Sequence, residues 1–392
     1  MTGWKTIELG QVSTLQRGMD LPKRMRLEGD YPIVTSSGID DTHSIGPVKG
    51  PGVITGRYGT IGRVFFVESD FWPLNTTLYV RDFHGNDPRF IHYLLQTVDF
   101  QTHSGKSGVP GVNRNDVHQE FVHIPAALGE QKAIAQTLLD ADTLIDSLEQ
   151  LVTKKRQIKQ GTMQELLTGK RRLSGFGSAA VAPSEVLPSD WVRVVIGDIA
   201  EVKTGPFGSA LHERDYVRSG TPIITVEHLA ERGIQGDGAP QVGATDVTRL
   251  QAYRLEEGDI VFSRVGSIDR NARVSANEEG WLFSGRLLRL RLRTTTIDSR
   301  FLSYLFHGEP FRRQVERVAV GQTMASLNTK LLSSLEVVVP GVDEQRGIAD
   351  VLSAIDAEIE SLESRLTKAH ALKQAMAQAL LTGRIRLVEP SA

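Results

Sequence analysis

Two long tracts of the chain carry apolar residues at alternating intervals of four and three positions. The two stripes consist of Ile134, Leu138, Ala141, Ile145, Leu148 and Val152, and of Ile348, Leu352, Ile355, Ile359, Leu362 and Leu366. This spacing predicts two helices with heptad-patterned apolar faces. Each tract lacks an internal proline and closes at a Thr-Gly pair, which is typical of a helix end. A helix with such a stripe needs a partner, and the other tract is the nearest candidate.

The two tracts are copies of one sequence. Residues 129–173 and 343–387 align at a constant offset of 214, with 21 identities over 45 positions. The repeat extends into the preceding segments, with these pairs of positions: Trp4 and Trp191, Pro32 and Pro222, Phe90 and Phe301, Asn113 and Asn328, Pro125 and Pro340. The chain is therefore two copies of one unit, each a mixed segment followed by a long helix.

Short apolar runs bounded by glycine, acids or proline dominate both mixed segments and indicate strands. Residues 52–55 and 259–263 are such runs, and residues 288–293 alternate strictly, as a half-buried strand does. One helix per unit is expected near residues 90–95 and 301–306. The predicted fold class is α+β, with two β-rich domains joined and separated by two long helices that form an antiparallel coiled coil. The predicted boundaries are 1–128 (first domain), 129–173 (first helix), 174–187 (linker), 188–342 (second domain), 343–387 (second helix) and 388–392 (tail).

Composition excludes several classes of protein. The chain has 392 residues, 40% hydrophobic and 23% charged, which is ordinary for a well-packed protein. It contains no cysteine, so a disulfide framework, a cysteine zinc site, an iron–sulfur cluster and a thiol nucleophile are excluded. No apolar run approaches the roughly 18 residues of a membrane span, and the first residues lack a signal core. We therefore expect a cytoplasmic protein without a membrane partner.

Enzyme signatures are incomplete in this sequence. The run at 105–107 resembles a phosphate-binding loop, but the first glycine of that motif is replaced by Phe100. The glycines at 56–62 have the wrong spacing for a dinucleotide loop, and His212-Glu213 lacks the second histidine of a zinc protease. No catalytic or metal-binding residues are predicted.

Basic and polar residues in the glycine-containing loops are the candidate DNA-binding residues. In the first domain they are Arg17, Lys23, Arg24, Arg57, Tyr58, Thr60, Arg63, Lys106, Asn113 and Arg114. In the second they are Lys203, Arg214, Arg264, Ser267, Arg270, Arg273, Gln322, Asn328 and Lys330. Arginine, asparagine and glutamine read base edges, and lysine and arginine hold phosphates. The alternative is that these are solvated loop charges in ordinary salt bridges.

The repeat separates two kinds of candidate position. Residues that match between units, such as Asn113 and Asn328, are expected to maintain the shared fold, so Asn113 is also interpreted as a turn residue. Residues that differ between the equivalent loops of the two units are those with which the units would read two different DNA sequences. Residues 57–60 (Arg-Tyr-Gly-Thr) against 264–267 (Arg-Val-Gly-Ser) fit this interpretation.

The net charge of −2 argues at first against a nucleic-acid binder. However, residues 184–342 contain 17 arginines and only 2 lysines, and the planar guanidinium suits directional recognition. A near-neutral chain that reads bases can leave much of the phosphate affinity to a basic partner.

Two variable segments, each followed by a matching helix that ends Leu-Leu-Thr-Gly, resemble the specificity subunit of type I restriction-modification systems. The resemblance covers nearly the whole chain. Its most specific parts are the Glu-Gln-(Lys/Arg)-x-Ile-Ala helix starts after a Val-x-(Ile/Val)-Pro strand, and the loop at 205–211 (Gly-Pro-Phe-Gly-Ser-Ala-Leu). Residues 56–62 and 73–80 are also typical.

The resemblance implies a function. Each target recognition domain would read one half of a bipartite site in double-stranded DNA, and the coiled coil would fix the spacer. The chain would be non-catalytic and bind no cofactor. It would recruit two methyltransferase subunits that use S-adenosylmethionine and restriction (motor-nuclease) subunits that need ATP and Mg²⁺. The alternative is a non-catalytic coiled-coil adaptor for protein interactions.

Overall fold

The computed structural model describes residues 3–104, 111–177, 188–206, 211–268, 270–319 and 326–387. Its contacts divide the chain into two units, Met1–Gln150 with Glu363–Ala392, and Leu151–Leu362. Each unit thus contains one β-rich domain and parts of both long helices. Most of the predicted linker and the whole predicted tail lie outside the described residues.

The first domain is built from short strands and short helices. Its strands are β1 (Trp4–Glu8), β2 (Thr14–Arg17), β3 (Tyr31–Thr35), β4 (Gly38–His43), β5 (Gly52–Gly56), β6 (Val64–Val67), β7 (Trp72–Pro73), β8 (Thr77–Asp82) and β9 (Phe121–Pro125). Its helices are α1 (Leu9–Val12), α2 (Pro88–Leu95) and α3 (Arg114–His118), with a 3₁₀ turn at Lys23–Met25, and the long helix α4 (Leu128–Leu166) follows.

The second domain repeats this plan with additions. Its strands are β10 (Val192–Val195), β11 (Ala200–Thr204), β12 (Tyr216–Val217), β13 (Thr221–Ile224), β14 (Leu229–Ala230), β15 (Gly233–Ile234), β16 (Gln241–Val242), β17 (Ile260–Ser263), β18 (Asn271–Arg273), β19 (Leu282–Phe283), β20 (Leu287–Leu292) and β21 (Glu336–Val339). Its helices are α5 (Ile196–Ile199), α6 (Ala244–Arg249), α7 (Ser299–His307), α8 (Glu309–Ala319) and α9 (Thr329–Ser334), and the long helix α10 (Val342–Leu381) follows. 3₁₀ turns lie at Glu213–Asp215, Val226–His228, Gln251–Tyr253 and Ala276–Glu278.

The sheets confirm that the β-rich domains are copies. An antiparallel sheet of order β2-β8-β5-β6 in the first domain corresponds to β11-β20-β17-β18 in the second. In each domain the first strand pairs antiparallel with the last, as β1 with β9 and β10 with β21. The smaller sheets are β4-β3-β7 in the first domain, and β12-β16-β13-β19 and β14-β15 in the second.

The strict alternation in β20 does not produce a half-buried strand. Arg289 is 3% exposed and donates to the backbone oxygen of Arg254. Arg291 donates to both carboxylate oxygens of Asp259 at 2.8 and 2.7 Å. The prediction of one solvated face was wrong at Arg289, because the segment around Arg254 covers that side of the strand.

The long helices are antiparallel within each unit. In the first unit Asp142 of α4 pairs with Lys373 of α10, and Glu149 with His370 at 3.6 Å. In the second unit Lys155 pairs with Glu358, and the Lys159 Nζ lies 2.8 Å from Asp356. Residues later in α4 therefore pair with residues earlier in α10. The heptad prediction is confirmed by the burial of its residues, among them Ile145, Leu148, Val152 and Ile359.

Both long helices end close to a glycine, several residues before the repeated sequence ends. Helices α4 and α10 stop at Leu166 and Leu381, short of the predicted 173 and 387. Gly169 and Gly383 both have φ of +71°, a left-handed conformation that favours glycine and terminates a helix. The residues beyond them turn back toward the domains.

A buried glutamate joins the start of one helix to the segment after the other. In the first unit Glu130 accepts hydrogen bonds from Arg386 at 2.5 and 2.8 Å and from the Trp4 indole at 3.2 Å. In the second unit Glu344 accepts two bonds from Arg172 at 2.6 and 2.7 Å. Both glutamate side chains are almost fully buried, at 1% and 2% exposure. These ion pairs tie each domain to both helices.

The glutamine after each of these glutamates explains the repeated Glu-Gln pair. The Gln131 side chain accepts a bond from the Asp87 backbone at 2.9 Å and donates to the Pro125 oxygen at 3.0 Å. Gln345 does the same with Asp298 at 2.9 Å and Pro340 at 2.8 Å. Each glutamine therefore holds the last strand of a domain beside its internal helix, α2 or α7.

A Lys–Asp–Tyr cluster also recurs. The Tyr93 hydroxyl donates to Asp142 at 2.7 Å, and Lys373 pairs with the same carboxylate. In the second unit the Tyr304 hydroxyl donates to Asp356 at 2.7 Å, and Lys159 pairs with that carboxylate. Burial raises the pKa of both tyrosines, which therefore remain hydrogen-bond donors at neutral pH. The clusters fix the register of the helices against the domains.

Replacing Glu130 with glutamine is expected to lower the free energy of unfolding by about 2 kcal/mol, the range for hydrogen bonds to charged groups. Bonding to Arg386 lowers the pKa of Glu130 from its ordinary 4.5. The stabilisation is therefore complete above pH 4.5 and lost as pH falls below it. Urea unfolding followed by circular dichroism at several pH values measures both effects.

Glu149→Gln is the matched control, because Glu149 is 55% exposed in its pair with His370. It should change stability by less than about 0.5 kcal/mol. Equal stability of the Glu130→Gln variant and the wild type at pH 7 would contradict the role assigned to the buried pair.

Candidate nucleic-acid interface

The candidate loops of the first domain meet at the turn that precedes β8. The backbone N–H of Gly18 donates to the Thr77 oxygen at 3.0 Å, and that of Arg57 donates to the Thr76 oxygen at 2.8 Å. The Val112 N–H in turn donates to the Arg57 oxygen at 3.0 Å. Three loops, far apart in sequence, therefore lie side by side at the end of the main sheet where β2 and β5 end and β8 begins.

The second domain repeats these bonds at the turn that precedes β20. Gly205 donates to the Leu287 oxygen at 3.1 Å, and Arg264 to the Arg286 oxygen at 2.9 Å. The Leu327 N–H donates to the Arg264 oxygen at 2.8 Å. The backbone arrangement at this end of the sheet is thus the same in both domains, although the side chains on it differ. We call these two groups of loops the loop junctions, defined by residues 18, 57, 76–77 and 112, and by 205, 264, 286–287 and 327.

Glycine is required where the first loop crosses the turn. A Cβ at Gly18 would lie 2.1 Å from the Leu74 backbone oxygen, and one at Gly205 would lie 2.1 Å from the Ser284 backbone oxygen. No other residue fits without a backbone shift, which accounts for the glycine at this position in both units.

Several predicted residues lie at the first loop junction. The Arg57 guanidinium stacks on the Tyr58 ring at 4.5 Å, and Tyr58 packs against Gly111. Thr60 and the exposed Arg63 belong to the same loop, in which the Gly56 N–H donates to the Arg63 oxygen. Arg17, half exposed, ends β2 and pairs with Asp20 at 3.3 Å. This grouping of cations and an aromatic ring on a glycine-shaped frame suits contact with DNA.

Lys23 and Arg24 lie apart from this group, exposed in the 3₁₀ turn beside β4. Their neighbour Arg26 pairs with Asp40 and Asp41 of β4, at 3.3 and 3.0 Å. Hydrogen bonding to Asp41 raises the pKa of Arg26.

At the second loop junction the structure brings together Arg264, Ser267 and Arg270. Ser267 and Arg270 are exposed, and the Arg270 N–H donates to the Ser267 oxygen at 3.1 Å. Lys330 is exposed in α9, which follows Leu327. Arg214 is 81% exposed in a 3₁₀ turn, 3.9 Å from Asp215.

Two predicted cations contact the second domain itself. The Lys203 amine donates to the Ala252 oxygen at 2.9 Å and lies 4.9 Å from the centre of the Tyr253 ring. The Arg273 guanidinium donates to the Ser299 hydroxyl at 2.9 Å and lies 3.4 Å from Glu257. These contacts match the alternative interpretation, in which loop charges make ordinary intramolecular bonds.

The matching asparagines both cap helices. Asn113 precedes α3 and its side chain accepts a bond from the Asn115 N–H at 3.1 Å. Asn328 precedes α9 and accepts from the Leu331 N–H at 2.9 Å. Arg114, next to Asn113, is the exposed first residue of α3. Capping accounts for the match between the asparagines without any contact to DNA. The predicted residues Lys106 and Gln322 lie outside the described residues.

Two side chains in the turns that precede β8 and β20 are absent from the predicted set. Asn75 lies in the first turn and donates to Asp20, and the exposed Arg286 lies in the second. The typical motif at 73–80 contains Asn75 and is the sequence signal for it.

Neither a membrane-spanning helix nor a metal centre is found in the described ranges. No helix there is long and apolar enough to cross a membrane. No group of three histidine, aspartate or glutamate side chains there is placed to hold a metal ion.

The two similar loop junctions, one in each β-rich domain, define a protein built from two copies of one unit. The model of the type I restriction modification DNA specificity domain matches residues 1–160 and 188–369, so the chain belongs to this family. Both matched regions begin with a β-rich domain and extend into the helix that follows it.

Similar proteins share this description. The MjaVIII specificity subunit of a type I restriction enzyme, from Methanocaldococcus jannaschii, is 22% identical over 309 residues, covering 77% of this chain and 71% of the relative. The crystal structure of a type I restriction-modification S subunit from M. genitalium has a TM-score of 0.65 at 16% identity, covering 96% of each chain. A structure from work on complex assembly and conformational transition of the type I R-M system has a TM-score of 0.53 at 17% identity, covering 98% and 99%.

Alanine at Gly205 is expected to destabilise the protein by about 1–3 kcal/mol, as overpacking does, and to weaken site-specific DNA binding. Thermal unfolding and DNA titration of the purified protein measure these effects. Gly129→Ala is the control, since a Cβ there meets no atom within 4 Å. If Gly205→Ala had the same thermal stability and DNA affinity as the control, the close approach of Gly205 to the Ser284 backbone would not matter for the second loop junction.

Proposed function

We propose that the two β-rich domains read the two halves of a bipartite site in double-stranded DNA, each with the side chains of its own loop junction. The observation that carries this is the duplicated backbone frame with different side chains, Arg57-Tyr58 in one domain against Arg264-Val265 in the other. A common frame would present each set of side chains to the groove in the same way. Different side chains would then select different bases.

We propose further that the antiparallel coiled coil sets the length of the unread spacer. The supporting observations are the buried glutamate ion pairs and the Lys–Asp–Tyr clusters, which hold both helices against each domain. Helices held in this way would keep a fixed length, which a flexible linker would not.

On this proposal the chain itself is not an enzyme and holds no cofactor. Two methyltransferase subunits would bring S-adenosylmethionine, and restriction subunits would bring ATP and Mg²⁺. Membership in the specificity family supports this division of labour, and the net charge of −2 is consistent with partners that supply much of the phosphate affinity. We also propose that the protein acts in the cytoplasm, together with these partners and DNA. The adaptor alternative is not favoured, because the family match spans both domains and both helices.

Replacing Arg264 and Arg270 with glutamine is expected to alter one half of the methylated site and leave the other unchanged. A well-placed arginine–guanine pair contributes about 1–3 kcal/mol of discrimination, so the affected half should lose selectivity by tenfold or more. Methylome sequencing of cells that carry the gene, the variant or no gene measures this.

The matched variant Arg57→Gln in the first domain should change only the opposite half. A change in both halves from either variant, or in neither half from both, would contradict the assignment of one reader to each domain.

A further inference from the structure

The second unit contains a basic cleft that the loop junctions do not use. It has a volume of about 760 Å³ and lies between the end of α4, strand β10 and helix α8. Its cationic lining residues are Lys170, Arg193, Arg313 and Arg317. Gln164, Thr168 and Gln314 add neutral hydrogen-bonding groups, and Glu309 is the one carboxylate in the lining.

Two of the four cations lack an acidic partner within the described part of the chain. Arg193 pairs with Glu336 at 2.9 Å, and Arg313 with Glu309 at 2.7 Å, in exposed contacts. For Lys170 and Arg317, both exposed, no described carboxylate lies within ion-pair distance. The cleft therefore carries uncompensated positive charge in a chain whose net charge is −2.

The cleft belongs to what the second domain adds to the common plan. Helix α8 follows α7 directly, whereas after α2, the counterpart of α7, the described residues 96–104 and 111–113 contain no helix. Position 193 corresponds to Thr6 in the first domain, so Arg193 has no basic counterpart there, whereas Lys170 corresponds to Arg384 in the repeat. Three of the four cations of the cleft, Arg193, Arg313 and Arg317, are therefore specific to the second unit.

Helix α8 precedes the last loop of the second loop junction in the chain. It ends at Ala319, and residues 320–325 separate it from Ser326, which pairs with Val265 beside Arg264. A segment of that length spans at most about 25 Å. Arg313 and Arg317 are four positions apart, so they lie on one face of α8 about 6 Å from each other. Chain length therefore limits how far the end of α8, with these two arginines, can lie from the loop junction.

We propose that this cleft binds backbone phosphates of the DNA that flanks the half-site read by the second domain. The inference rests on the proposed function, because it takes the second loop junction to contact bases. Arginine and lysine with glutamine and threonine are the side chains that contact phosphates, and they carry no base preference. DNA continuous with the half-site is favoured over a free anion because the cleft is open and only six residues of the chain separate α8 from the loop that pairs with Val265.

The double variant Lys170→Gln/Arg317→Gln tests the proposal in the complex of the full chain with its methyltransferase partner. Affinity for a duplex that contains the site is measured at several KCl concentrations. Each lost phosphate contact should reduce the slope of log K against log salt by about 1, so we expect a reduction of about 1–2. The site preference should remain unchanged, and phosphate-ethylation interference should weaken on one flank of one half-site.

Lys154→Gln/Arg365→Gln is the matched control, because it removes two exposed helix cations outside the cleft. The control should keep the wild-type slope. The proposal would be overturned if the double variant still bound its site and had the same salt slope and the same ethylation interference as the control. Loss of assembly with the methyltransferase at an unchanged slope would overturn it too, because the cleft would then bind an acidic protein surface. Absence of any site preference in the wild type would refute the proposed function instead.

Discussion

The buried glutamate–arginine pair is the constraint on which the rest of the structure depends. Glu130 and Arg386 in the first unit, and Glu344 and Arg172 in the second, join the start of one long helix to the segment that follows the other. A charge this deeply buried is costly without its partner, by about 3–5 kcal/mol. Segments of both helices therefore stabilise each β-rich domain.

This constraint links the helices to the loop junctions. Gln131 and Gln345, next to the buried glutamates, bond to the last strand of each domain and to the start of α2 or α7. The main sheet packs in the same hydrophobic core as these elements, with Ile134 and Leu381 in one unit and Ile348 and Leu167 in the other. The loop junctions lie at one end of the strands of that sheet. The side chains proposed to contact DNA are thus held by packing that is continuous with the helices.

Much of this fold is predictable from the sequence because duplication and heptad spacing are strong signals. Ile145 and Leu148 are buried as the stripe indicates, and β5, β8, β17 and β20 lie where apolar runs occur. Helix α8 was not predicted, and Arg289 was expected on a solvated face. Both depend on contacts between segments that are distant in sequence, such as the cover that the segment around Arg254 provides for Arg289. The local periodicity of the sequence does not predict such contacts.

The candidate site was predictable only as a set of loops. Similar loops at matching positions indicated two equivalent surfaces, and the structure places three of those loops together within each domain. Which side chains lie free on the surface depends on tertiary contacts, so Lys203 and Arg273 could not be separated from Arg270 in advance. Asn113 was interpreted in two ways, and its capping bond to α3 is visible only in the folded chain.

The central claim is that two separate readers are held at a distance set by the paired helices. Insertion of one heptad after Gln150 in α4 and one after Leu362 in α10 lengthens the coil by about 10 Å, or about three base-pair steps of 3.4 Å. Methylome sequencing of cells with this variant should show both half-sites unchanged and a spacer about three base pairs longer. Active methylation with the original spacer would contradict the account.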